Sequence, residues 1–157
     1  MRRRQAREMA VQSLYQMEMN NASAAEAVSV SLEEARLGDE YNLSDVSNAE
    51  LGSTAAAEEY IMELVAGASA HREAIDGLLK GFLTGWQVDR LSRVDRQILR
   101  LAVYEMVYRD DVPPKVVINE AIEIAKRFGT KESGKFVNGV LGRLIKDLDQ
   151  IKSKSSN

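Results

Sequence analysis

The sequence predicts an all-α protein, and three observations support that prediction. Apolar residues recur at spacings of three and four along most of the chain, as they do on the buried side of amphipathic helices. No segment shows the alternation of apolar and polar residues that indicates a half-buried strand. The clearest helical patterns follow one another closely between Leu91 and Leu148, so their apolar faces are expected to pack together.

The central helix of this stretch is predicted over Val94–Val107. Its apolar residues cover a wider arc than a surface helix needs, which predicts a helix in the middle of the fold. They are Val94, Ile98, Leu99, Leu101, Ala102, Val103, Met106 and Val107. Pro113 and Pro114 then end the pattern, because proline lacks an amide donor and disfavours a helical conformation at the residue before it.

Two more helices follow this corner. The first is predicted from Lys115 to Phe128, and Gly129 is predicted as its left-handed C-cap. Thr130 is predicted to cap the last helix, with Glu132 in its positive first turn. The apolar stripes of the two helices are Ile118, Ala121, Ile122, Ala125 and Phe128, and then Phe136, Val137, Val140, Leu141, Leu144, Ile145 and Leu148.

The N-terminal half shows weaker helical patterns. Helices are predicted at about Arg4–Met19, at Ser23–Leu37 and, as one long helix, at Ala55–Lys80. The polar, acidic segment Gly38–Thr54 is predicted as a loop or a frayed helix. Gly81–Ser92 is predicted as a short link in which Trp86 fills a gap in the core. The core stripe of the first helix is Ala6, Met9, Ala10, Ser13, Leu14 and Met17, and that of the second is Val28, Leu32 and Ala35.

Length and composition set the expected architecture. A chain of 157 residues with 45% apolar residues can bury one sizeable core, so we expect a single domain over residues 1–157. Within it we expect a helical N-terminal half at about 1–80, a helical C-terminal half at about 88–150 and a flexible tail at 151–157. Because neither a membrane-length apolar run nor an apolar signal core is found, we expect a cytoplasmic protein.

The composition also excludes several kinds of site. Without cysteine the chain has no disulfides and no thiolate chemistry. A single histidine, His71, excludes a histidine-based metal cluster and is expected to be a plain surface or half-buried residue. No arrangement of nucleophile, base and carboxylate is recognisable, so we expect no catalytic residues, no metal and no cofactor. The sequence is typical of a binding protein.

The charge is unevenly distributed along the chain. Residues 1–20 carry four arginines, residues 21–66 carry ten acidic residues against Arg36 alone, and residues 67–157 carry more basic than acidic residues. An acidic middle therefore separates two basic ends. These ends fit either solvated helix faces or the binding of an anionic partner.

The first helix carries a candidate RNA-binding face. Arg4, Val11 and Tyr15 lie within a narrow angle of one another, away from the core stripe. Three further arginines lie at the flank or at the helix end: Arg2, Arg3 and Arg7. Single-stranded RNA binding uses this combination, because cations contact phosphates and a base stacks on the aromatic ring. Tyr15 fits equally well a half-buried ring whose hydroxyl reaches water.

The segment Gly129–Phe136 matches the GxxxxGK spacing of a phosphate-binding loop, but phenylalanine replaces the serine or threonine of the last position. It also follows a predicted helix rather than a strand, so a nucleotide-binding site is rejected. Lys131, Lys135 and Phe136 instead offer charge and an aromatic ring near a helix N-terminus, which suits a nucleic-acid backbone and base. Phe136 also fits the apolar stripe of the last helix as a core residue.

Ordered blocks of residues at both ends of the chain recur in one known family. The N-terminal block is Arg2-Arg3-Arg4, Ala6-Arg7-Glu8, Ala10-Val11-Gln12 and Leu14-Tyr15. The C-terminal blocks are Val94-Asp95-Arg96, Ile98-Leu99-Arg100, Ala102, Tyr104-Glu105, Asp111-Val112-Pro113, Lys115-Val116, Ile118-Asn119-Glu120-Ala121-Ile122, Ala125-Lys126, Phe128-Gly129 and Lys135-Phe136-Val137-Asn138-Gly139-Val140-Leu141. Together they resemble the bacterial NusB transcription antitermination factors. The resemblance is weak between about Asn21 and Gly85.

This resemblance implies a compact all-α bundle of about seven helices in two packed subdomains. It also implies a transcription antitermination factor, not an enzyme, that binds single-stranded boxA RNA of nascent transcripts. The protein partner implied is NusE, which is also a protein of the small ribosomal subunit. Within the antitermination complex on RNA polymerase, the two promote read-through, notably in ribosomal RNA operons.

The resemblance further implies two groups of site residues. The RNA surface joins the first helix to the start of the last one, at Arg2, Arg3, Arg4, Arg7, Tyr15, Lys131, Glu132, Lys135 and Phe136. The NusE surface lies on the helix after the link, where Asp95 is the main candidate for an ion pair. Further candidates are Arg96, Arg100, Tyr104 and Glu120.

Two alternatives stay open at this point. One is a helical protein–protein interaction module, or a homodimer, with little RNA binding. The other is an RNA-targeting domain like the one fused to some RNA cytosine methyltransferases, which is disfavoured because no cofactor domain is found before Asn157.

Overall fold

The computed structural model describes residues 1–38, 52–85 and 87–155. Over these ranges the chain forms α-helices and 3-10 turns and no strand, so the all-α prediction is confirmed. The helices are α1 (Arg3–Asn20), α2 (Ala24–Gly38), α3 (Thr54–Ala70), α4 (Arg72–Lys80), α5 (Arg93–Tyr108), α6 (Pro114–Phe128), α7 (Ser133–Leu144) and α8 (Leu148–Ser155). A 3-10 turn at Ile145–Asp147 joins α7 to α8 without a break, which leaves about seven separate helical segments, as the resemblance implied.

The chain divides into two compact units, Met1–Ala70 and His71–Asn157. The predicted halves met between residues 80 and 88, so the observed division comes earlier in the sequence. That residues 1–157 form a single domain stays a prediction. The predicted loop Gly38–Thr54 lies largely outside the described residues, and so does the core role predicted for Trp86.

In the first unit, α1 packs against both α2 and α3. The predicted core stripe of α1 is confirmed from Ala6 to Leu14, and Met17 is half-buried. The buried Ser13 hydroxyl donates to the Met9 carbonyl oxygen at 2.8 Å and lies 3.0 Å from the Ser31 hydroxyl, so α1 and α2 share a satisfied polar contact. At the start of α2, the Ser23 hydroxyl accepts from the Glu26 backbone N–H at 3.2 Å, which is an N-cap interaction.

The prediction of one long helix over Ala55–Lys80 is wrong. The helix ends at Ala70 and a new one begins at Arg72, because His71 adopts φ −101° and ψ 13°. The His71 carbonyl oxygen still accepts the Ile75 N–H at 2.9 Å, so His71 acts as the N-cap of α4. The ring of this residue stacks on Tyr108, a contact far along the chain that local periodicity does not reveal.

In the second unit, α5 lies in the middle, as predicted. Every residue from Arg96 to Val107 is buried, and α5 packs against α4, α6, α7 and α8. Helix α6 begins at Pro114, one residue before the prediction, because proline is tolerated where the amide would have no partner. Residues 151–155, predicted as part of a flexible tail, belong to α8, since Ile151 is buried there.

Gly129 and Thr130 differ from their predicted roles. Gly129 follows α6 with φ −95° and ψ −161°, which is extended and not left-handed. A Cβ atom here would lie 2.8 Å from the Ala125 carbonyl oxygen and would overlap Ser133, so the glycine is required by space. Thr130 does not start α7. Its backbone N–H donates to the Ser133 hydroxyl at 2.9 Å, and the helix begins at Ser133.

Within the described ranges, no helix is both long enough and apolar enough to cross a membrane. The same residues contain no group of three His, Cys, Asp or Glu side chains that is placed to hold a metal ion.

The contacts of Gly129 generate a stability prediction. Gly129→Ala should lower the free energy of unfolding by about 1–3 kcal/mol, because the new methyl group overpacks against Ser133 and Ala125. The matched control is Gly142→Ala within α7, where a Cβ meets nothing within 4 Å. That change should be neutral or should stabilise the protein by up to ~1 kcal/mol through helix propensity. Urea denaturation measures both, and equal stability of the two variants would contradict the packing argument.

Candidate functional site

The predicted RNA-binding residues fall into two groups, and each unit holds one. The first group, on α1, is Arg2, Arg3, Arg4, Arg7 and Tyr15, and the second, at the start of α7, is Lys131, Glu132, Lys135 and Phe136.

The N-terminus of α1 presents exposed cations. Arg2 is the N-cap residue, in an extended conformation, and its backbone N–H donates to the Gln5 side-chain oxygen at 2.9 Å. Arg2 and Arg4 are exposed, and Arg3 is half-buried with its guanidinium 5.5 Å from the centre of the Tyr60 ring. The first turn contains no acidic residue, so these charges add to the positive end of the helix dipole and favour an anion.

Further along α1, the predicted face is only partly open. Arg7 is 3% exposed and so differs from Arg2 and Arg4. Val11, predicted on the same open side as Tyr15, is also buried. Tyr15 is half-buried, which agrees with the structural alternative that the sequence left open. The accessible part of the first group is therefore the helix end, together with part of the half-buried Tyr15.

The start of α7 presents the second group. Lys131, Glu132 and Lys135 are exposed, and Phe136 is half-buried. The Glu132 carbonyl oxygen accepts the Phe136 N–H at 3.1 Å, which closes the first turn of α7. The segment Gly129–Phe136 follows helix α6 and not the strand that a phosphate-binding loop requires. This agrees with the rejection of a nucleotide-binding site.

The predicted NusE-binding residues lie on α5, with Glu120 on α6. Asp95 sits in the first turn of α5, where its backbone N–H donates to the hydroxyl of the N-cap Ser92 at 3.2 Å. The Asp95 side chain is half-buried. Its Oδ1 atom is itself buried and has no hydrogen-bond partner among the described residues. Glu120 is likewise half-buried. These two carboxylates are the predicted partner residues that reach the surface most clearly.

The other three predicted partner residues are buried. Arg96, Arg100 and Tyr104 are each at most 9% exposed. The Arg100 guanidinium donates two hydrogen bonds to the Asp76 carboxylate, from Nε and Nη2, both at 2.8 Å. This bidentate pair joins α4 to α5. Sequence reasoning missed Asp76, although an acidic residue next to the core positions Ile75 and Leu79 was a usable signal.

Tyr104 belongs to a cluster of three aromatic rings with His71 and Tyr108. The rings of His71 and Tyr108 stack with their centres 3.9 Å apart and their planes 15° apart. The Tyr104 ring lies 6.0 Å from each of them. His71 is exposed, as expected for a surface residue, but its ring has a defined structural contact. Tyr108 was not singled out from the sequence.

Comparison with known proteins gives one consistent result. The profile of the NusB family matches residues 4–146. The transcription antitermination protein NusB of Myxococcus xanthus is 43% identical over 94% of this chain and 97% of its own length. The solved structure of T. maritima NusB is 35% identical, with a TM-score of 0.75, over 94% of this chain and 92% of that one. A solved complex of the antitermination factors NusB and NusE with dsRNA matches with 30% identity and a TM-score of 0.73, over 92% of this chain and 96% of that one.

The Arg100–Asp76 pair generates a second stability prediction. Asp76→Asn leaves the buried guanidinium without its counter-charge and should lower the free energy of unfolding by about 2 kcal/mol. This is less than the ~3–5 kcal/mol for breaking a fully buried pair, because the Asp76 side chain is 28% exposed. Thermal denaturation followed by circular dichroism measures the change.

The control for this prediction is the exposed pair Arg36–Glu58, whose side chains are 50% and 37% exposed. Glu58→Gln should cost at most about 1 kcal/mol, because water and salt screen exposed pairs. If Asp76→Asn were no more destabilising than this control, the Arg100–Asp76 pair would not stabilise the contact between α4 and α5 as its geometry indicates.

Proposed function

We infer, because this chain belongs to the NusB family, that it is a transcription antitermination factor. The likeness in sequence and structure over more than nine-tenths of the chain carries this conclusion. We propose that it binds boxA-like single-stranded RNA of nascent transcripts together with NusE and promotes read-through in ribosomal RNA operons. We further propose that it works in the cytoplasm by binding alone, without catalysis.

The first proposed RNA contact is the end of α1. Arg2 and Arg4 are exposed there, at a helix end whose dipole also attracts phosphate. Arg3 lies over the Tyr60 ring, which limits the freedom of its side chain. Arg7 is proposed as a support of this segment, since its guanidinium is buried. The half-buried Tyr15 is proposed to stack its ring on a base.

The second proposed RNA contact is the start of α7. Lys131 and Lys135 are exposed and suit phosphates, and Phe136 is half-buried, so part of its ring is available to a base. Glu132 carries the opposite charge, and its carboxylate is suited to accept hydrogen bonds from base amino groups rather than to contact phosphates. This combination of charge and ring supports RNA binding over a protein-only role.

NusE is proposed to bind beside the N-terminus of α5. Asp95 is the principal contact, because it lies in the first turn of α5 and is only half-buried, whereas the residues that follow it on this helix, as far as Val107, are buried. Glu120 is proposed as a second acidic contact. Three buried residues are proposed to support this surface from the core: Arg96, Arg100 and Tyr104.

RNA binding by the full chain tests the proposed function. Fluorescence anisotropy compares a boxA-like single strand, a scrambled strand and a duplex of the boxA sequence, each with and without NusE. We expect the boxA strand to bind most tightly and NusE to increase that preference. Log affinity should fall with log salt at a slope of about −0.7 for each phosphate contacted. Equal, weak binding of all three RNAs with and without NusE would instead favour a protein-interaction module.

Aromatic truncation tests the two proposed stacking residues. Tyr15→Ala and Phe136→Ala should each lower RNA affinity by about 1–3 kcal/mol, the usual contribution of a stacked base. Tyr15→Phe should retain most of the affinity, because the ring remains. The matched control is Tyr108→Ala, which removes a half-buried ring outside both groups and should leave RNA binding unchanged. Circular dichroism must show unchanged helix content before a loss is assigned to RNA.

A further inference from the structure

Lys126 lies in the last turn of α6 and is not among the residues assigned to RNA above. Its side chain runs along Gly134, in the first turn of α7. A Cβ atom at Gly134 would lie 3.3 Å from Lys126 Cγ and 3.7 Å from Lys126 Cε. Cγ and Cε are two bonds apart in the lysine side chain, and both lie close to the Cβ position of Gly134. The aliphatic stem therefore lies flat against this turn. A methyl group at position 134 would press on this stem, which would have to move by a few tenths of an ångström.

This packing places the Lys126 ammonium near Gly134, in the first turn of α7, which also carries Lys135 and Phe136. Nζ is one bond beyond Cε, and Lys135 directly follows Gly134 in the chain. The Lys126 side chain is 63% exposed, so the charge remains in water while the stem is held. A held stem loses less side-chain entropy when the ammonium binds a ligand.

The ammonium is engaged by an exchangeable partner. Lys126 Nζ lies 3.3 Å from Glu123 Oε1, one turn earlier on α6, and the Glu123 side chain is 46% exposed. Exposed pairs at this spacing contribute little to stability, because water screens them. A phosphate arriving at the start of α7 would therefore displace Glu123 at small cost.

We propose that Lys126 is a further RNA-phosphate contact, positioned by Gly134 and restrained by competition from Glu123. The inference rests on the proposed RNA binding of Lys131, Lys135 and Phe136 and adds a residue from α6 to that surface. A lysine in the last helical turn also offsets the negative end of the helix dipole. That structural role would leave the salt dependence of RNA binding unchanged, which makes the two roles separable.

The test measures affinity of the full chain for the boxA-like strand by fluorescence anisotropy over a series of salt concentrations. Lys126→Met keeps an apolar stem over Gly134 and removes the charge. We expect the slope of log affinity against log salt to become shallower by about 0.7, the value for one phosphate contact on a single strand. We also expect affinity to fall several-fold at low salt. The control Lys115→Met, an exposed lysine at the other end of α6, changes the net charge equally and should leave the slope unchanged.

Glu123→Gln provides a second, opposite test. It should strengthen RNA binding several-fold, because it frees the Lys126 ammonium. In the Lys126→Met background the same change should have little effect. An equal gain in both backgrounds would mean that Glu123 acts only through net charge, and would overturn the proposed competition.

The remaining outcomes separate this inference from the proposed function. If Lys135→Met and Phe136→Ala weaken RNA binding while Lys126→Met leaves both affinity and slope unchanged, the inference on Lys126 fails and the RNA surface of α7 stands. Equal slope changes from Lys126→Met and Lys115→Met also overturn it. If the unaltered protein binds none of the RNAs, the proposed function and this inference fail together.

Discussion

Burial of α5 along most of its length is the constraint on which the second unit depends. Among its buried residues are four polar or charged ones: Arg96, Gln97, Arg100 and Glu105. A charge removed from water has to be paired, because an unpaired buried ion costs several kcal/mol. Asp76 meets this requirement for Arg100 with two short hydrogen bonds from α4. The neighbours of α5 are therefore selected by charge as well as by apolar fit.

Helices α6 and α7 pack on α5 and closely on each other, so the buried helix also constrains the surface that these two helices form. Two glycines lie where α6 and α7 approach each other. Gly129 leaves space for Ser133 and the Ala125 carbonyl oxygen, and Gly134 leaves space for the stem of Lys126. Because the buried side of the corner is tightly packed, Lys131 and Lys135 have no place in the core and remain exposed. Close backbone packing thus presents the charges that we assign to RNA.

The first unit uses charge differently. Arginines occupy the first turn of α1, where acidic residues would be more stabilising, by about 0.3–1 kcal/mol each. A locally unfavourable arrangement of this kind is typical of a functional surface. The end of α1 needs no specially shaped pocket for a flexible anionic strand, because phosphate binding depends mainly on charge. The half-buried Tyr15 adds a ring on which the same strand can stack.

From the amino-acid sequence alone we could predict the all-α class, the position of α5 at the centre of the second unit, the stripes of α1 and α2, and the likeness to the NusB family. These features follow from residues three or four apart on one helix face, or from the order of short blocks along the chain. Four features became clear only from the folded structure: the helix break at His71, the burial of Arg7 and Val11, the pairing of Arg100 with Asp76, and the extended conformation of Gly129. Three of these features depend on a contact with another element or turn: that of His71 with Tyr108, that of Arg100 with Asp76 and that of Gly129 with Ser133. Helical periodicity records which side of a helix is apolar, but not which side chain of another helix will lie against it.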